Sequence, residues 1–192
     1  MSDRTTKPAL RKAALTRRDL IEPREAHAAA EAIARAALPL VAGIAAPGAV
    51  VSAYWPIRSE LSTRPLLEAL AAAGYATALP VMTATAKPLH FRRWSPGDPL
   101  DVGSLGLAEP LPAAAPATPV VLFTPLAAFD SRGHRIGYGG GSFDATLAAL
   151  RAGRKTTAIG LAYATQEVER VPEEAHDQAL DYILTEERLF AL

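Results

Sequence analysis

The chain has 192 residues, 49% of them apolar and 21% charged, which bounds it to an ordered globular protein of one domain with a core of ample size. Lys plus Arg and Asp plus Glu each number 20, so the net charge of zero excludes nucleic-acid binding driven by overall charge and leaves only local basic pockets. There is no cysteine, which excludes disulfide frameworks, thiolate nucleophiles and zinc sites with cysteine ligands, and no run of about 18 apolar residues is present to span a membrane.

Residues 3–21 read as a basic amphipathic helix, capped by Thr5 or Thr6 and with Pro8 in its first turn. The expected location is the cytoplasm. Lys7 and Arg11 stand four apart and project on one side, either as a solvated basic face or as a pair that reaches a phosphate. Pro23 opens a second, alanine-rich helix over 24–43, which Pro39 kinks or ends; together the N-terminal helices occupy 3–46. Residues 49–57 (AVVSAYWPI) predict a buried strand. Its far end carries Tyr54, Trp55 and Ile57, then Glu60 and Ser62, where an open α/β sheet binds ligands. Trp55 is a core residue or a stacking wall, and Glu60 a surface charge or a substrate anchor. Ser62 or Thr63 caps the next helix, which ends at Gly74.

Residues 75–82 predict a strand, 83–88 a turn, and 89–94 (LHFRRW) a third strand with His90, Arg92 and Trp94 on its polar face. The Pro- and Gly-rich stretch 95–119 reads as a long loop without regular structure. The apolar run at 120–123 predicts a central strand buried on both faces. A polar turn at 130–133 follows, then Arg135 and four glycines, Gly137, Gly139, Gly140 and Gly141, before a helix that closes at Gly153. Strands are expected at 157–163, 166–172 and 181–185, the last of these being the final one. The alternation of strands and helices predicts a three-layer α/β sandwich with a mostly parallel central sheet and helices on both faces.

The glycine cluster is a tight structural loop or an anion site. In the second case its backbone N–H groups and the following helix N-terminus cradle phosphate, Arg135 adds charge, and Asp144 holds a metal ion beside a polyphosphate. It is neither a Walker loop nor a dinucleotide fingerprint, since no Gly-Lys-Ser/Thr follows and Ser142 stands where the third glycine belongs.

The segment FDSRGHRIGYGGGSFD at 129–144 resembles the signature of the 5-formyltetrahydrofolate cyclo-ligase (5,10-methenyltetrahydrofolate synthetase) family, FD-x-x-G-x-R-[LI]-G-x-G-x-G-[YF]-[YF]-D. KPALR at 7–11, the segment from Tyr54 through Thr63, FRRW at 91–94, GLAEP at 106–110 and VPEEAHD at 171–177 are similar to further family pieces, in the same order. The chain departs from the pattern at Ser142, in place of an aromatic, and at Ser62, in place of an acidic residue.

The resemblance implies conversion of 5-formyltetrahydrofolate to 5,10-methenyltetrahydrofolate with ATP cleaved to ADP and phosphate. The formyl oxygen attacks the γ-phosphorus, N10 attacks the resulting imino-phosphate, and phosphate leaves. It further implies Arg135 and Lys7 as catalytic cations. Lys7, Arg11, Arg135, Ile136, Gly137, Tyr138, Gly139, Gly140, Gly141, Ser142 and Phe143 would hold ATP, and Asp144 and Asp177 would hold Mg²⁺. Tyr54, Trp55, Ile57, Glu60, Ser62 and Trp94 would line the folate end, and Arg92 or Arg93 would meet the glutamate tail. His134 is then a turn residue, and His176 orients its loop or lies on the surface. The expected partner is a reduced folate, with no nucleic acid and no membrane, for a monomer. Two alternatives stay open: a non-catalytic nucleotide- or folate-binding homologue, for which the two serines speak, and a sugar-phosphate isomerase-like enzyme on a related scaffold.

Overall fold

The computed structural model describes residues 6–82, 88–103, 106–174 and 177–192. The expectations for residues 3–5, for the turn at 83–87 and for His176 lie outside the described residues.

Helix α1 (Lys7–Arg18) starts where Thr6 adopts an extended backbone and its hydroxyl accepts from the Ala9 N–H. Arg17 and Arg18 sit in the last turn, where positive charge suits the helix dipole. Helix α2 (Pro23–Ala42) begins with Pro23, and Pro39 does not end it. Its carbonyl accepts from the Gly43 N–H at 3.1 Å, so the last turn stays closed around the proline.

An eight-stranded sheet runs through the molecule. Its strands are β1 (Val50–Ser52), β2 (Ala76–Val81), β3 (His90–Arg93), β6 (Pro116–Ala117), β7 (Val121–Pro125), β10 (Thr157–Leu161), β11 (Tyr182–Leu184) and β12 (Leu189–Ala191). The order across the sheet is β12-β11-β10-β7-β1-β2-β3-β6. The five central strands are parallel, with Val51 beside both Thr77 and Val121, and Ile159 beside Phe123 and Tyr182. Strands β3, β6 and β12 add antiparallel edges.

Successive side chains point to opposite faces of a strand. Val121 and Phe123 pack into one core with Ile33, Ala37 and Val41 of α2 and Leu66, Leu67 and Leu70 of helix α3 (Arg64–Ala72). Leu122 and Ala158 face the other side and meet Leu147 of helix α4 (Ser142–Gly153). Helices therefore cover both faces of a mostly parallel sheet, as the alternating pattern predicts.

Several expectations are corrected. The stretch 95–119 is not without regular structure, because β4 (Leu100–Val102) and β5 (Ala108–Pro110) pair as an antiparallel hairpin and β6 joins the sheet edge, where Pro116 is tolerated. The third strand's supposed polar face is interrupted by Trp94, which is buried in the core. The first strand is three residues long, since the chain leaves the sheet at Ala53 to form a loop. No strand covers 166–172; a 3-10 turn (Ala164–Gln166) and a single bridge from Phe129 to Glu167 stand there. The expected last strand is followed by β12, an edge strand of only three residues whose short pattern carries no periodic signal.

The glycine loop also does not leave the central strand directly. Between β7 and α4 lies a small hairpin, β8 (Ala128–Phe129) and β9 (Arg135–Ile136). Asp130 ties its turn together. This fully buried carboxylate accepts from the N–H groups of Arg132, His134 and Val171 and from the Arg132 guanidinium, 2.7 Å away. Ala14 of α1 packs against Ala128, Ile136 and Val171, which seats the first helix on this hairpin. Among the described residues no helix is long and apolar enough to cross a membrane.

Candidate active site

A cavity of about 950 Å³ opens beyond the carboxyl ends of β1, β2 and β7, which contribute the segment from Tyr54 to Glu60, then Pro80 and Met82, and Pro125. This is where a parallel sheet leaves room for ligands, because the connections on either side diverge.

One end of the cavity is built from the glycine loop and cations. Gly139 and Gly141 have φ of +94° and +65°, backbone that L side chains rarely adopt, and Gly141 is the cap residue immediately before α4. Arg11 donates from Nε to the Gly137 carbonyl at 2.6 Å, and its guanidinium lies against the Gly139 backbone. The Arg135 side chain is 8% exposed and reaches Asp144 Oδ1 at 2.7 Å. It also donates to the Gln178 carbonyl, while the Gln178 N–H returns a bond to the same Asp144 oxygen at 3.0 Å. Burial draws the Arg135 pKa down and the Asp144 and Asp177 carboxylates draw it up, for a net value below that of a free guanidinium. Lys7 Nζ lies 2.8 Å from Asp177 Oδ2 and 3.3 Å from Glu174 Oε2. Cations and carboxylates thus alternate around this end of the cavity.

The other end is apolar with one carboxylate. Tyr54 is buried and donates to the Leu61 carbonyl at 3.0 Å. Trp55 lines the cavity, stacked edge-to-face on Trp94 at 5.3 Å, with the Arg64 guanidinium 4.5 Å from its ring. Glu60 is buried and accepts from the Ile57 N–H at 2.9 Å across a tight turn in which Arg58 takes φ of +51°. Burial pushes the Glu60 carboxyl above the usual carboxylate range; the Ile57 N–H, Tyr138 and the charges of Arg18 and Arg58 offset this only in part. Tyr138 of the glycine loop is the link between the two ends, and burial together with Glu60 raises its hydroxyl pKa well beyond that of a free phenol.

Of the residues expected at a site, Lys7, Arg11, Tyr54, Trp55, Ile57, Glu60, the run from Arg135 to Asp144 and Asp177 all line this one cavity. Ser62 and Trp94 do not. The Ser62 hydroxyl accepts from the Arg64 N–H at the start of α3, and Trp94 stands behind Trp55 in the core. Arg92 and Arg93 also lie off the cavity wall, Arg92 donating to the Pro110 carbonyl. His134 remains a turn residue, 3.3 Å from Glu173.

Sequence reasoning missed four residues. Glu109 lines the cavity and accepts from the Met82 N–H at 2.7 Å, and Glu174 and Gln178 also line it. Arg18 is 3% exposed behind Tyr138. Arg18 had a signal in its helical spacing from Lys7 and Arg11, and Glu109 and Glu174 had one in their place within the GLAEP and VPEEAHD segments; Gln178 had none.

The model of the 5-formyltetrahydrofolate cyclo-ligase family matches residues 3–186. The chain belongs to this family. It is 34% identical over 163 residues to the 5-formyltetrahydrofolate cyclo-ligase of Haemophilus influenzae, covering 82% of this chain and 86% of that one. It is 35% identical over 145 residues to the enzyme of the same name from Escherichia coli K12, covering 73% and 79% of the two chains. Its fold is similar to the NMR structure of Aquifex aeolicus 5,10-methenyltetrahydrofolate synthetase, with a TM-score of 0.75, 28% identity, and 96% and 92% of the two chains covered.

The donor set around Asp144 and Asp177 suits a magnesium ion completed by its substrate. Mg²⁺ is commonly held by one or two carboxylates plus phosphate oxygens and water, not by an all-protein cage. Asp144 and Asp177 line this cavity beside the glycine loop, with Glu174 also in the lining, and among the described residues no three metal-ligating side chains converge as a ready-made cage.

Proposed function

We propose that this family member is an ATP- and Mg²⁺-dependent 5-formyltetrahydrofolate cyclo-ligase that forms 5,10-methenyltetrahydrofolate, ADP and phosphate. The reading is carried by one observation: a single cavity joins a cation-ringed glycine loop to an apolar wall containing one carboxylate. A nucleotide and a reduced folate, reacting with each other, need both ends in one enclosure.

The chemistry requires no protein nucleophile. The formyl oxygen attacks the γ-phosphorus as the bond to ADP breaks. N10 then attacks the activated formyl carbon, and phosphate departs with the oxygen. Bound Mg²⁺ supplies charge neutralisation to the phosphate oxygens, with Asp144 and Asp177 as its protein ligands. Lys7, Arg11 and Arg135 neutralise the transferring group, and the backbone at Gly137, Gly139 and Gly141 lets phosphate approach closely. Lys7 and Arg135 are paired with Asp177 and Asp144, the same carboxylates that would hold Mg²⁺, so cation and metal ligand lie side by side at this end of the cavity. Glu60 faces the folate and accepts its N–H groups, and Trp55 and Tyr54 give the ring system an apolar wall.

The test is near-ultraviolet absorbance of the methenyl product. It is expected only with 5-formyltetrahydrofolate, ATP and Mg²⁺ together. Folded protein that gives no signal with all three, or the same signal without ATP, overturns the reading.

A further inference from the structure

Helix α1 carries Lys7, Arg11, Ala14 and Arg18 at spacings of four, three and four, which is one stripe of a helix. Each polar member of the stripe holds a different part of the site. Lys7 meets Asp177, and Arg11 meets the Gly137 carbonyl. Arg18, which lies off the cavity wall, donates from Nη1 to the Tyr138 hydroxyl and from Nε to Ser59 Oγ at 3.0 Å. Ser59 in turn donates to Asp19, so the loop bearing Glu60 is anchored to the end of the same helix.

Arg18 is 3% exposed, and its guanidinium carbon lies 5.7 Å from the Tyr138 ring centroid. Its charged and titratable surroundings are Glu60, Tyr54, Tyr138 and Tyr163. A buried guanidinium is costly unless its donors are used. Here the donors are spent on joining the glycine loop to the segment after β1, and they fix the tyrosine whose hydroxyl also bonds Glu60 directly.

We infer that Arg18 is a positioning residue for the folate end of the site, fixing Tyr138 and Ser59 so that Glu60 is presented to the reduced folate. This rests on the cyclo-ligase reading. Arg18 touches no substrate. It acts by making the two cavity walls one unit, so its loss is felt in folate binding and not in nucleotide binding, which Lys7, Arg11 and Arg135 retain.

The experiment compares Arg18→Met, Arg18→Lys, Tyr138→Phe and the Arg18→Met/Tyr138→Phe pair, measuring KM for each substrate and binding of the reduced folate through Trp55 fluorescence. Arg18→Met is expected to weaken folate affinity by about tenfold or more, the scale of a lost charge-assisted hydrogen bond, with KM for ATP changed less than about twofold. Arg18→Lys should recover part of the loss, since charge remains but the fork does not. The double variant should be no worse than Arg18→Met alone. Parallel rises in both KM values, or additive losses in the double variant, overturn the inference. Tyr138→Phe, at a residue 40% exposed, keeps the test open if Arg18→Met does not fold, and unchanged folate affinity in it also overturns the inference. A wild-type protein without folate-dependent turnover instead overturns the cyclo-ligase reading.

Discussion

Asp144 accepts from the Arg135 guanidinium at 2.7 Å and from the Gln178 N–H at 3.0 Å through the same oxygen, Oδ1, so one carboxylate oxygen holds the glycine loop's cation and the C-terminal loop together. Asp144→Asn keeps an acceptor for both donors and removes only the charge. Turnover is expected to fall about a hundredfold or more with a raised Mg²⁺ requirement, as when a charge-stabilising group is removed. Thermal unfolding should show the midpoint lowered by only a few degrees. A fall in stability that accounts for the lost activity would make Asp144 a structural residue.

Gly139 has φ of +94°, and a Cβ added there would lie 3.6 Å from the Arg11 guanidinium, an ordinary contact. The cost of Gly139→Ala is therefore backbone strain, about 1–2 kcal/mol, and not a clash. Relief of that strain moves the loop. KM for ATP is expected to rise about tenfold while KM for the folate is unchanged, and steady-state kinetics with each substrate varied will show whether the two separate.

Glu60 has its pKa raised by burial beyond what the Ile57 N–H, Tyr138 and the neighbouring cations offset. A carboxyl whose folded pKa exceeds its unfolded value favours folding below the unfolded value, about 4.3, and loses that contribution as pH rises through the folded one. Glu60→Gln should therefore melt higher than wild type at pH 8, with the difference vanishing near pH 4, and should bind the folate at least about tenfold more weakly. A variant that is less stable at pH 8 would contradict this trade of stability for binding.

Asp130 has the opposite sign. Burial alone would raise its pKa, but the Val171 N–H, the Arg132 side chain and the N–H groups of His134 and Arg132 together hold it below the usual carboxylate value. Its contribution is present above the unfolded value, about 3.9, and is lost as pH falls through the folded one. Asp130→Asn is expected to cost about 2–3 kcal/mol at pH 7 in urea unfolding and progressively less in acid. Equal costs at pH 7 and pH 3 would show that shape, not charge, holds the turn.

The layered sheet was legible because its centre is written in continuous apolar runs and its helices in spaced ones: Val121, Leu122 and Phe123 are buried on both faces, as such a run requires. The edges were not. Strands β4, β5 and β6 hold two or three residues each, and their pairing is set by partners distant in the chain. At the site, the motif residues were readable because glycines, cations and carboxylates are uncommon in such density. Trp94 was misplaced because strand alternation put it with His90 and Arg92, whereas the chain leaves the sheet at that point and turns the ring onto Trp55. Arg18 went unread because a cation on a basic helix looks solvated until the partner that buries it is known.

Lys7 and Asp177 are separated by 170 positions, yet they close the cation-ringed end of the cavity together. During synthesis, the first helix and its stripe of cations leave the ribosome long before the carboxylates that answer them. The pair that closes this end therefore cannot form until almost all of the chain has emerged. A ligand that binds only the finished fold stabilises it by mass action and gives no help to incomplete chains, in which the hairpin that seats helix α1 is also still to come. Quality in this fold is settled before binding begins.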